Sequence, residues 1–176
     1  MLSLERTHAS VVSCWASPEA LDALAILSGA HKCRVAPDEV LFLSAPAQVA
    51  DVQRQAAAFF ATVEPSALIL DQSDGWTMFT LRGDEADRVF AQLSVVPPPS
   101  ERPAFVQGAV AGGSAKMLFL EGCIRVLVPS TLRHHLAARL RDVCGELVTI
   151  PATETPFVIE PVVTLHQDGA ATPALR

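Results

Sequence analysis

Apolar and polar residues recur along this chain in two rhythms, one near period two and one near period 3.6, and the switches between them mark out its elements. Ser10 to Ala16, carrying Val11, Val12 and Trp15, reads as a short strand. Ser17-Pro18-Glu19 predicts a helix start: serine caps free amides, proline fits the first turn, and glutamate suits the positive end of the dipole. Leu21, Leu24, Ala25 and Ser28 continue at helical spacing, with Gly29 as the stop. Short strands follow at Cys33–Ala36 and Val40–Leu43, separated by the Pro37-Asp38 turn. The longest helical stretch runs from Pro46 to Glu64, with Val49, Val52, Ala56, Phe59, Phe60 and Val63 as its apolar stripe. Pro65 ends it, and Ala67–Leu70 reads as another strand.

A polar turn, Gln72 to Gly75, reverses the chain and a second series begins. Trp76–Leu81 is a predicted strand. Asp84 to Leu93 is a predicted helix with Asp84 as its cap and Ala86, Val89, Phe90 and Leu93 facing inward. The Pro97-Pro98-Pro99-Ser100-Glu101-Arg102-Pro103 run is an exposed connector. Phe105–Val110 is a strand, and Lys116–Leu120 and Cys123–Val128 form a hairpin across Glu121-Gly122. Ser130 opens a helix striped by Leu132, Leu136, Leu140 and Val143, Gly145 ends it, and Leu147–Ile150 is a last strand. Pro46 and Pro129 stand at matching strand-to-helix joints, 129 − 46 = 83 residues apart. The first series runs β-α-β-β-α-β and the second repeats it with one further strand between its helices, which reads as an internal duplication of a β-α-β-β-α-β unit, although α+β chains also repeat such orders by chance.

The predicted architecture is α+β. Residues 1–150 form one domain of two similar ferredoxin-like halves, about 9–71 and 75–150, with mixed or antiparallel sheets. Residues 151–176 form an extended C-terminal arm and tail. The apolar piece of that arm, Phe157 to Leu165, either folds back as an edge strand or adds to a partner's sheet. Phe157, Val158, Ile159, Val162 and Val163 are accordingly candidate partner-interface residues, together with Trp76.

Composition narrows the function classes. Half of the 176 residues are hydrophobic, which suits either a large core or a surface kept for another subunit. The formal net charge is −6 with no basic run, so neither nucleic acid nor an anionic membrane is an expected partner. The first residues lack the pattern of a signal peptide, and no apolar run approaches the ~18 residues of a membrane span, so a cytoplasmic location is expected. Cys14, Cys33, Cys123 and Cys144 are widely spaced and read as buried core thiols.

The search for chemistry returns mostly negatives. Ala111-Gly112-Gly113-Ser114 lies between strands, whereas a phosphate loop needs a helix N-terminus. His134 and His135 diverge by about 100° on one helix, and their i+4 neighbours, Ala138 and Arg139, cannot bind a metal. No metal site and no catalytic residue are expected. Asp71 remains as a weak ligand candidate, against a turn-closing role for the Asp71–Asp74 stretch.

Three segments carry a family resemblance. These are Ala36-Pro-Asp-Glu-Val-Leu-Phe-Leu43; Leu68-Ile-Leu-Asp71-Gln-Ser73-Asp74-Gly75-Trp76 with the following Phe79 to Phe90; and Val126-Leu-Val-Pro-Ser130. Their order and spacing, over about 60% of the chain, resemble the gamma subunit of heterotetrameric sarcosine oxidase. More broadly they are similar to the folate-binding, glycine-cleavage T-protein-like aminomethyltransferase superfamily. Departures accompany the likeness. Lys116 to Arg125 has no aspartate where catalytic members carry a pair, Val40 replaces a tryptophan, and the chain is about half an aminomethyltransferase long, without its C-terminal barrel region. The resemblance implies an aminomethyltransferase N-terminal-domain-like fold. It implies a non-catalytic small subunit of a sarcosine oxidase-type, flavin-dependent amine oxidase, aiding assembly or support of the large subunit. Flavin and tetrahydrofolate would lie on the partner flavoprotein subunits rather than on this chain. The alternative it leaves open is a stand-alone folate-binding one-carbon protein.

Overall fold

The computed structural model describes residues 2–145 and 154–159, and the backbone of 164–165 and 171–172. Two sheets stack face to face, each carrying helices on its outer side. The first sheet gathers β2 (Ser10–Trp15), β3 (Ala30–Ala36), β4 (Glu39–Ser44) and β5 (Leu68–Asp71). The second gathers β1 (Ser3–His8), β6 (Trp76–Arg82), β7 (Ala104–Val110), β8 (Gly113–Leu120) and β9 (Cys123–Pro129). Short pieces of the C-terminal region, β10 (Thr155–Pro156), β11 (Thr164–Leu165) and β12 (Ala171–Thr172), add to both. The strand orders are β12-β11-β3-β4-β2-β5 and β10-β1-β6-β9-β8-β7. Pairing is antiparallel except for β1 with β10 and β3 with β11.

The fold is therefore α+β with mixed sheets, and the central order β3-β4-β2-β5 of the first sheet is matched by β8-β9-β6-β1 in the second. The match carries a surprise. In the first sheet the strand beside β2 is β5, which comes from the same half of the sequence. In the second, the place beside β6 is taken by β1, from the N-terminus, in the register Leu4↔Leu81 and Thr7↔Met78. The hydrophobic rhythm gave no strand before Ser10, because Ser3 to His8 holds a single large apolar residue, Leu4. The predicted strand Leu147–Ile150 lies outside the described residues.

The helices follow the apolar stripes, with three adjustments. Helix α1 (Pro18–Ala23) has the expected Ser17 cap, whose hydroxyl accepts from the Ala20 amide at 3.3 Å, but it stops well short of Gly29. The stop is chemical: the buried ammonium of Lys32 takes the carbonyls of Leu21, at 2.7 Å, and Leu24, so α1 ends on a side chain from β3. Helix α2 (Val49–Val63) is led in by a 3-10 turn at Pro46–Gln48 and buries Val52, Ala56 and Phe60, while Val63, expected inside, is half exposed. Helix α3 (Ala86–Ala91) begins after Glu85 rather than at Asp84. Helix α4 (Arg133–Cys144) follows a 3-10 turn at Ser130–Leu132 and buries Leu136, Leu140 and Cys144. That turn sits so close to the start of β8 that a methyl group on Gly113 would meet Leu132 Cδ1 at 2.8 Å.

The apolar residues sort into three zones. Val12, Cys14, Phe42, Val52 and Phe60 pack the first sheet against α1 and α2. Leu4, Phe79, Phe90, Phe119, Val126 and Leu140 pack the second sheet against α3 and α4. Between the sheets lie Val11, Cys33, Leu41, Met78, Leu118, Leu127 and Phe157. All four cysteines are free and buried, and burial pushes the Cys14 and Cys33 thiols up to about 12.

Candidate functional site

The seam between the two sheets starts at the end of β5. The Asp71 carboxylate accepts from the Ser73 amide at 2.9 Å and from the Ser73 hydroxyl, closing a turn on itself. The same hydroxyl accepts from the Val11 amide at 3.0 Å, and Gln72 Oε1 accepts from the Ser13 hydroxyl at 2.9 Å. One 3-10 turn, Ser73–Gly75, then delivers Trp76 into β6. Across the seam, the Ser130 hydroxyl donates to the Asp74 carbonyl at 2.9 Å instead of capping α4. An open concavity of about 500 Å³ is lined by Asp71 to Trp76, and a smaller one of about 230 Å³ lies beside it, bordered by His8, Asp74, Thr77, Ser130, Arg133 and Glu154.

Trp76 joins this surface to the interior. It is half buried against the inter-sheet zone, and the Lys116 ammonium stands 5.2 Å from the centre of its ring. Lys116 donates to Gln107 Oε1 at 2.7 Å, and Gln107 in turn donates to the Val35 carbonyl of the first sheet at 2.7 Å. Burial lowers the pKa of Lys116 against the pull of Glu39, and burial raises that of Glu39 against the pull of Lys116.

Deeper between the sheets is a polar pair that pattern reading did not single out. Arg125, on β9, is 1% exposed. Its Nη1 donates to His31 Nε2 on β3 at 3.2 Å, and its Nη2 donates to the Val158 carbonyl. The guanidinium carbon lies 4.3 Å from the centre of the Phe157 ring, which meets the His31 ring edge-on at 6.0 Å. Because Nε2 accepts, the imidazole proton sits on Nδ1, which has no hydrogen-bond partner among the described residues. Burial first, and the nearby Arg125 charge second, lower the His31 pKa to about 4, so the ring is neutral at physiological pH.

The sequence candidates thus separate. Asp71 and Trp76 meet at the seam. Phe157 is buried within its own chain, Ile159 packs partly against the inter-sheet zone, and Val158 turns its side chain outward. Val162 and Val163 lie outside the described residues. The segment carrying Phe157 is tied to β1: Glu154 pairs with Arg6 at 2.9 Å, and the Thr155 hydroxyl donates to Glu5 Oε2 at 3.1 Å. Arg125 is the one charged residue of β9, and His31 precedes the strand expected at Cys33–Ala36, so neither stood out. Their signal was parity, since Arg125 shares a strand face with Cys123 and Leu127. His135, on an exposed helix face, donates to the Ala111 carbonyl at 2.8 Å. Among the described residues no group of three or more His, Cys, Asp or Glu side chains is placed to hold a metal ion, and no helix is long and apolar enough to cross a membrane.

No protein-family model matches this sequence, and no curated protein sequence matches it. Solved structures do match its fold. A chain of the heterotetrameric sarcosine oxidase from Corynebacterium sp. U-96, determined in complex with pyrrole 2-carboxylate, is 18% identical with a TM-score of 0.68, and the match covers 86% of this chain and 88% of that one. The glycine cleavage system aminomethyltransferase T from Bartonella henselae is 12% identical with a TM-score of 0.58; the match covers 85% of this chain but 47% of that one. This chain accordingly has an aminomethyltransferase-like fold, spanning about half of the aminomethyltransferase it resembles.

Proposed function

We propose that this protein is a non-catalytic small subunit, of the gamma type, in a sarcosine oxidase-type, flavin-dependent amine oxidase complex, and that it aids assembly or support of the large subunit. The observation that carries the reading is the end-to-end fold match, 86% and 88% of the two chains, with a chain of a heterotetrameric sarcosine oxidase. The seam supports it: the Asp71 carboxylate is engaged by Ser73 in a local turn. The space between the sheets is packed with Met78, Leu118, Leu127 and Phe157. In this reading flavin and tetrahydrofolate are held by partner subunits, and the complex is cytoplasmic.

The test is co-expression with the flavoprotein subunits of a sarcosine oxidase-type amine oxidase. Co-elution at fixed stoichiometry, with flavin absorbance in the complex and none in the isolated chain, is the expected result. The alternative, a stand-alone folate-binding one-carbon protein, draws on the open concavity beside Trp76. It requires saturable tetrahydrofolate binding to the isolated chain by calorimetry, weakened by Asp71→Ala. That outcome, together with failure to co-elute, overturns the subunit reading.

A further inference from the structure

The four ends of the two sheets are finished differently. The second sheet ends at one side in the two-residue strand β10, and the first ends at one side in the two-residue strand β12. At the other end of the second sheet, β7 is covered: Ser94 bridges to Val110 and its hydroxyl donates to the Ala109 carbonyl at 3.1 Å, the Ala111 amide donates to the Leu93 carbonyl at 2.6 Å, and the Val96 side chain closes over Gly108. The remaining end, β5, has no strand on its outer side among the described residues. Soluble proteins normally blunt such an edge with lysine, proline or a bulge. Here the strand is Leu68-Ile69-Leu70-Asp71, with Leu68 50% and Leu70 41% exposed on one face.

The backbone polarity of this edge can be read from its inner partner. Gln72 donates to the Val11 carbonyl at 2.8 Å, so residues of even number turn their N–H and C=O groups toward β2, and Ile69 and Asp71 turn theirs to the free side. Pairing two such edges antiparallel about Ile69 makes Ile69 the hydrogen-bonded pair with its own copy. Leu68 then faces Leu70 of the second copy, Leu70 faces Leu68, and the Asp71 amide reaches the Ala67 carbonyl. The Ala67 amide is already used by the Glu64 carbonyl at 2.9 Å, so no donor is wasted at that position. The two Asp71 carboxylates lie at opposite ends of the ladder, and no like charges are set face to face. The Leu-Ile-Leu order is self-complementary in both side chains and backbone.

We propose that β5 is a self-association edge, through which a second copy of this chain pairs antiparallel about Ile69 and joins the two first sheets into one continuous sheet. This is independent of the subunit reading above.

Sedimentation velocity of the full chain over a dilution series should show a dimer that dissociates on dilution. Leu70→Lys, at an exposed position, should weaken association about tenfold or more by charging the edge, while the thermal unfolding midpoint of the dissociated chain, read at the lowest concentrations of the series, stays unchanged. The register has its own readout. An equimolar mixture of Leu68→Cys and Leu70→Cys chains should form a disulfide-linked pair on oxidation. Leu68→Cys alone should link poorly, because the diagonal separation of about 7–8 Å exceeds disulfide reach. The proposal is overturned by a monomer at every concentration, by a dimer indifferent to Leu70→Lys, by equal linking of Leu68→Cys with itself, or by an edge covered by co-expressed flavoprotein subunits in place of a second copy.

Discussion

The places beside β2 and β6 are equivalent in the two sheets, yet they are filled in opposite ways. Beside β2 stands β5, a local strand whose face carries half-exposed leucines and whose outer edge is bare among the described residues. Beside β6 stands β1, a distant strand whose single large apolar residue, Leu4, is 1% exposed. Its Thr7 hydroxyl is paired at 2.7 Å with Thr80, and its outer edge is taken by β10. The same topological position can thus be an interior one or a surface one, depending on whether a further segment closes over it. In the second sheet that segment is 154–159, which also brings Phe157 onto Arg125.

The sharpest way to break this comparison is a matched pair of truncations. Leu4→Ala should cost about 2–5 kcal/mol in urea unfolding, whereas Leu70→Ala should cost under about 1 kcal/mol. Equal losses would mean that the two positions are energetically alike.

The next test is acid sensitivity of the inter-sheet pair. Because the folded pKa of His31 is depressed to about 4 from 6.5, the unfolded chain binds the extra proton between those values, and stability falls as pH drops through that window. The full effect is about 3 kcal/mol at most. His31→Gln, which keeps an acceptor for Arg125 without titrating, should flatten this part of the stability–pH curve.

The first sheet has a counterpart of the same sign at higher pH. Burial first, and Arg34 second, lower Lys32 to about 8 from 10.5. The unfolded chain therefore holds more protons across that range, and Lys32 makes stability rise with pH there. Lys32→Met should remove the rise and cost about 1–3 kcal/mol, since it leaves the carbonyls at the end of α1 without their ammonium. Smallest of all, Asp71→Ala loses a turn bond at an exposed position and should shift stability by under about 1 kcal/mol, read as a small change in denaturation midpoint.

Much of this was legible in the sequence because burial on one face imposes a period. The strands from β2 to β9 and the stripe of α2 follow directly from it. The exceptions have local causes. α1 ends early because a lysine eight residues beyond Leu24 competes for its carbonyls, an interaction with no periodic signature. β1 is silent because its strand is held by pairing with β6 and by hydroxyl contacts rather than by an apolar face. Arg125 and His31 look like surface residues because an alternating strand allows a polar residue on one face; only the second sheet makes that face an interior. At the seam, Asp71-Gln72-Ser73 read correctly as a turn, since its bonds span two residues.

The long reach of β1 also sets a timetable for synthesis. At elongation rates of roughly 5–20 residues per second, Leu81 follows Leu4 out of the ribosome by about 4–15 s. The first sheet has its central strands by Asp71 and can close meanwhile, whereas the opening strand of the chain must wait, unpaired, for β6. The β1–β6 pairing, between residues about 75 apart, then precedes the docking of β9 on β6, a long-range order that this topology writes into the nascent protein.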